Sequence, residues 1–94
     1  MAKITPQMMI EGLTQRGLPA HVAQGFVMNA IDESGLQTGI EEGQPNVHGT
    51  RGYGLMQWTG DRRVNLERKA RERGVSSDDL NLQLDMIVDE LGGP

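Results

Sequence analysis

Helix stops are what most restrict this chain. Gly17, Gly35, Gly74 and Gly92-Gly93 each close a segment that reads as helix. Glycine is the residue that most readily takes left-handed backbone just past a helix end. The spacing predicts helices over about 6–16, 19–34, 61–73 and 77–91 and leaves 36–60 as one long glycine-rich interval. That pattern describes a single, mainly α domain with a long loop or small hairpin. It excludes a repeat array and a sandwich of regularly spaced strands.

Local signals set the segment starts. Thr5-Pro6 places a capping hydroxyl before proline at the first helical position. Met8, Met9 and Leu13 then share a face. Leu18-Pro19 restarts the chain, and Val22, Ala23, Phe26, Val27, Ala30 and Ile31 make one side of the second segment apolar. Gly25 inside it costs about 1 kcal/mol relative to alanine, which suggests close packing by a neighbour. Thr59 or Asp61 caps a third, mostly polar helix anchored by Val64, Leu66 and Ala70. Ser76 with Asp79 three residues on reads as a capping box for a fourth, in which Leu80, Leu84, Ile87 and Leu91 recur beside Leu82 and Val88. In the interval, Tyr53, Leu55 and Met56 need burial, and turns near Gly39 and Gly49 suit a short hairpin. The Gly52-Tyr53-Gly54 triplet lacks the remaining spacing of a phosphate loop.

Composition narrows the function classes. There is no cysteine, so neither disulfides nor thiolate-bound metal supports so short a chain. His21 and His48 are too few for a zinc site, and the reading requires no metal or cofactor. The net charge of -4 argues against a nucleic-acid partner. Arg62, Arg63, Arg68, Lys69, Arg71 and Arg73 are interleaved with acids, as on a solvated helix face. No apolar run reaches the roughly 18 residues of a membrane span, and the first residues carry no apolar signal-peptide core.

One residue stands out by chemistry. Glu33 follows Phe26 and Ala30 by seven and three residues, which stacks it on the core side of the last helical turn. Burial and the negative end of the helix dipole both favour a protonated carboxyl, as a general acid requires. The alternative is a helix end with Glu33 in solvent. Asp32 points elsewhere.

Glu33-Ser34-Gly35-Leu36 followed by Gly54-Leu55-Met56-Gln57-Trp58 resembles the lysozyme superfamily, as found in goose-type lysozymes and soluble lytic transglycosylases. The detail is most similar to the phage tail lysozyme family: Gly17-Leu18, a helix ending Asn29-x-x-x-Glu33-Ser34-Gly35, the run Gln57-Trp58-Thr59-Gly60-x-Arg62-Arg63, and a helix through Leu82, Gln83, Leu84 and Asp85 to Glu90-Leu91. No one segment carries the likeness; three in this order, across about 13–91 of a domain spanning 1–94, do. The resemblance implies a lysozyme-like helical domain that cleaves the glycan strands of peptidoglycan. Glu33 would be the acid that protonates the glycosidic oxygen, with Ser34, Tyr53, Met56, Gln57 and Trp58 around the sugar. Whether the rings of Tyr53 and Trp58 face cleft or core stays open. Family domains continue for several dozen residues past the match to Leu91, so this chain is expected to be their N-terminal part, with activity that depends on the missing wall of the cleft.

A hydrolase that inverts needs a second carboxylate roughly 6.5–9.5 Å from the acid, and Glu41 and Glu42 lie in reach along the loop. A lytic transglycosylase needs none. His48 and Arg51, and Arg62 and Arg63 toward the peptide stems, are further candidate contacts, each also readable as plain surface. The rival class is a non-enzymatic tail or virion module that keeps the fold and binds glycan. The resemblance implies peptidoglycan and other virion or tail proteins as partners. It also implies a place in the virion or at the host periplasm and cell wall, reached through phage machinery.

Overall fold

The computed structural model describes residues 3–41 and 51–92. Four helices account for most of them: α1 Pro6–Gln15, α2 Ala20–Ser34, α3 Gly60–Arg73 and α4 Leu80–Glu90. Helix α1 packs against α2 and α4, and α4 packs against α3, so the helices form an open row ordered α2, α1, α4, α3. The core runs along this row through Met9, Leu13, Val27, Leu66, Leu82 and Ile87, and Leu55 and Trp58 close it from the loop side. No helix among the described residues is long and apolar enough to cross a membrane.

Most helix ends follow the local signals. The Thr5 hydroxyl accepts from the Met8 amide at 3.1 Å, with Pro6 in the first turn. Gly17, Gly35 and Gly74 have φ of 95°, 61° and 69°. At two of these ends the chain closes with paired bonds back into the last turn: Gly17 to Thr14 with Leu18 to Leu13, and Gly74 to Arg71 with Val75 to Ala70. Thr59 precedes α3, but its side chain makes no capping bond. Helix α4 begins later than the Ser76 signal suggests, because Asp79 is the true cap and accepts from the Leu82 amide at 2.9 Å. Its own amide donates to Ser76 O in a turn.

Several faces differ from their sequence pattern. Met8, Ile31, Val64 and Leu91 are exposed; for Ile31 and Val64 the reason is that α2 and α3 each have a helix on one side only. Gly25 has open space where a Cβ would stand. Close approach occurs instead at Gly12, where a Cβ would lie 2.3 Å from Leu84 Cδ1, so it is Gly12 that lets α4 lie down on α1. The described part of 36–60 holds isolated antiparallel bridges and no strand: Lys3 with Gln37, Glu41 with Tyr53, and Tyr53 with Trp58. The expected turn at Gly49 lies outside the described residues.

Candidate active site

The site begins where α2 stops. Ala23, Val27, Ala30 and Ser34 form its buried face, and the Ser34 hydroxyl turns inward to donate to Ala30 O at 2.8 Å. Glu33, one residue earlier, is rotated about 100° away and is exposed. The core-side placement expected from Phe26 and Ala30 is therefore corrected: α2 packs on α1 alone, and the stripe that meets α1 passes through Ser34. Glu33 continues a line of Val22, Phe26 and Asn29 along the helix. Those three, with Gly25 and Met28, border an open surface groove. Val22 and Glu33 are about 16 Å apart along the axis at 1.5 Å per residue.

Two successive left-handed residues, Gly35 and Leu36 at φ 61° and 62°, then reverse the chain. Leu36 is buried, and its carbonyl accepts from the Ile4 amide at 2.9 Å. The N-terminal segment thus holds the chain leaving Glu33. That chain reaches the turn: Ile40 O accepts from the Gly54 amide at 2.9 Å.

The turn is closed by a reciprocal pair, Tyr53 N to Trp58 O at 3.1 Å and Trp58 N to Tyr53 O at 3.0 Å. Leu55 and Trp58 are fully buried and Gln57 is 8% exposed, while Tyr53 and Met56 are half-buried. Trp58 sits in the core, with its indole N–H donating to Glu90 at 2.9 Å. Arg62 grips the same carboxylate through two nitrogens, at 2.8 and 2.6 Å. Tyr53 is the aromatic left at the surface of the turn. Burial, then the charge of Asp78, raises its phenol above the usual value, with Arg63 opposing.

Gln57 is unusual. It is a non-glycine residue at φ 51°, a conformation costing roughly 1–2 kcal/mol. Its amide nitrogen donates to Gly54 O at 2.9 Å and to Ile40 O at 3.3 Å. Its Oε1 is buried with no hydrogen-bond partner among the described residues. Native structures rarely leave a buried acceptor orphaned, and strain with an unmet acceptor is a common mark of a functional position.

Two residues hold the site together: Gln83, placed by the sequence only within the fourth helix, and Arg63, read there as a candidate contact to the peptide stems. Gln83 is fully buried. Its Oε1 accepts from Leu55 N at 3.0 Å, and its Nε2 donates to Thr38 O at 2.7 Å and Ser77 O at 2.8 Å. One amide thus joins three connecting segments. Its signal was a lone amide inside the apolar run Leu82, Leu84, Ile87. Arg63 is the second. It pairs with Glu41 at 2.6 Å and Glu67 at 3.3 Å, donates to Arg51 O at 2.9 Å, and lies 5.2 Å from the Tyr53 ring centroid.

Glu41, a candidate second carboxylate, is therefore tied to a guanidinium. Glu42, the other, and His48 lie outside the described residues; His21 is exposed. Among the described residues no group of three or more His, Asp or Glu side chains could hold a metal ion. Glu33 makes neither a hydrogen bond nor an ion pair through its side chain among them, unlike Glu41, Glu67, Glu72, Asp85, Asp89 and Glu90.

Searches of curated proteins and of solved structures returned no match. A family model, described as phage tail lysozyme, matches residues 5–94, which takes in α2, the reversal after Glu33, the Tyr53–Trp58 turn and both later helices. The chain belongs to the phage tail lysozyme family.

Proposed function

We propose that this chain carries the catalytic acid of a peptidoglycan glycan-strand-cleaving enzyme, with Glu33 as that acid, acting from a phage virion or at the host cell wall. The family supports a lysozyme-like role on peptidoglycan and a virion-associated protein. The observation that carries the finer reading is the state of Glu33: an exposed carboxylate with no ion pair among the described residues, one helical turn past Asn29 on the face that borders the groove. Glu41 is held by Arg63; this carboxylate is open to a substrate.

The chemistry follows from that position. A glycan strand entering beside α2 meets the Glu33 carboxyl. The carboxyl then donates its proton to the glycosidic oxygen as the bond to the anomeric carbon breaks. Gln57, its amide nitrogen tied to Gly54 O and Ile40 O, braces the turn beneath the sugar, and the half-buried Tyr53 ring packs on a sugar face. Ser34, whose hydroxyl is spent on Ala30 O, and the buried Trp58 act as supports, and Met56 adds apolar contact. The pairing of Glu41 with Arg63 favours two routes for the second step over help from Glu41: attack by the substrate's own hydroxyl, with Glu33 returning as base, or attack by water with help from Glu42.

The test is clearance of purified peptidoglycan by wild type and by Glu33→Gln, with released sugars identified by mass. The expected result is a loss of roughly 10²–10⁴-fold in the variant, the usual weight of a general acid. A reducing end identifies hydrolysis and an anhydro end transglycosylation. Equal clearance by the folded variant rules Glu33 out as the acid.

A further inference from the structure

Arg63 meets the candidate site from a direction the cleavage chemistry does not use. It stands on the first turn of α3, its side chain only 20% exposed. Each of its three nitrogens has a partner: Nη2 to Glu41, Nη1 to the carbonyl of Arg51, and Nε to Glu67. Its plane also lies near the Tyr53 ring. Glu41 is bridged to Tyr53. One guanidinium therefore fixes the segment leaving Glu33, the segment entering the turn, and the half-buried aromatic of the turn.

We propose that Arg63 is a positioning residue for glycan cleavage: it sets Tyr53 and the Ile40–Gly54 pairing in register with Glu33, and does not itself contact the scissile bond. The proposal rests on the reading of Glu33 as the acid. A guanidinium suits the task because it is planar and presents fixed, divergent donors to two carboxylates and a carbonyl at once. A lysine ammonium is a point charge that can hold Glu41 without holding Arg51 and the ring together. Glu67, four residues along α3, only steadies the arginine from its own helix, so its loss leaves Glu41 and Arg51 gripped.

The experiment compares wild type, Arg63→Lys, Arg63→Ala and Glu67→Gln on solubilised peptidoglycan, with activity expressed per folded molecule. Amide hydrogen exchange at Gly54 is followed without substrate. Arg63→Ala is expected to lose about 10–100-fold in kcat/KM, the scale of a misplacement of about 1 Å, with a raised KM. Gly54, whose amide donates to Ile40 O, should exchange faster. Arg63→Lys should recover part of both effects, and Glu67→Gln should stay within about twofold of wild type on the same scale. Kinetics per folded molecule unchanged in Arg63→Ala, or Gly54 exchange unchanged, would overturn the proposal. If instead Glu33→Gln cleaves as well as wild type, the reading of the acid is what fails; Gly54 exchange then still decides whether Arg63 holds the register.

Discussion

A Cβ on Gly54 would stand 2.8 Å from Nε2 and 2.9 Å from Oε1 of Gln83. The turn can therefore rest on α4 only because residue 54 has no side chain, and the buried amide of Gln83 occupies the space so released. Gly54 is also at φ 80°. Gly54→Ala meets both obstacles and is expected to lower stability by roughly 2–3 kcal/mol, measured by urea unfolding. A loss below about half a kcal/mol would show that Gln83 can move aside without cost. Gln83→Ala should cost a similar amount, since it strands Leu55 N, Thr38 O and Ser77 O.

Gly25 should behave in the opposite way. It lies within α2 with nothing near its missing Cβ. Gly25→Ala is expected to stabilise by about 0.5–1 kcal/mol through helix propensity alone, read as a rise in melting temperature. Destabilisation would reveal a contact on that face.

Asp85 joins α4 to both neighbours' ends, at 2.7 Å from Arg16 and 2.6 Å from Arg73. Burial works to raise its carboxyl, but the hydrogen bonds from Arg16 and Arg73 outweigh it and hold the group below the usual carboxylate range. A lowered folded value means the ionised form binds the fold more tightly. That stability is complete above the unfolded-state value, about pH 4, and disappears as pH falls through the folded value. Asp85→Asn should cost roughly 1–2 kcal/mol at pH 7, allowing for partial solvent screening. The gap to wild type should narrow as pH falls below the usual carboxylate range. A difference that does not vary with pH would assign the loss to packing.

Trp58 offers an optical check on its own burial, because the chain has one tryptophan. Glu90→Ala removes the partner of its indole N–H and of Arg62. The expected outcome is a red-shifted emission, readier quenching by acrylamide, and a loss of about 1–2 kcal/mol. Unchanged emission and quenching would mean that packing alone seats the ring.

How much was legible in the sequence follows from the range of the forces involved. Gly17, Gly35 and Gly74 end their helices where the pattern places them, and Thr5-Pro6 starts α1, because caps and left-handed turns are decided within a few residues of backbone. The likeness at Glu33 and at Gly54 to Trp58 is likewise carried by the residues themselves. Burial was not. Ser34 faces the core and Glu33 faces water because of where α1 lies, and one step along a helix turns a side chain by about 100°. Gln83, a lone amide among leucines, is buried because it is anchored to Thr38 across 45 positions of sequence. The sequence by itself determined the helices, their ends and the family. Only the tertiary structure decided which side chains are withdrawn as Trp58 is, which are tied as Glu41 is, and which stand open as Glu33 does, since each depends on a neighbour brought from far along the chain.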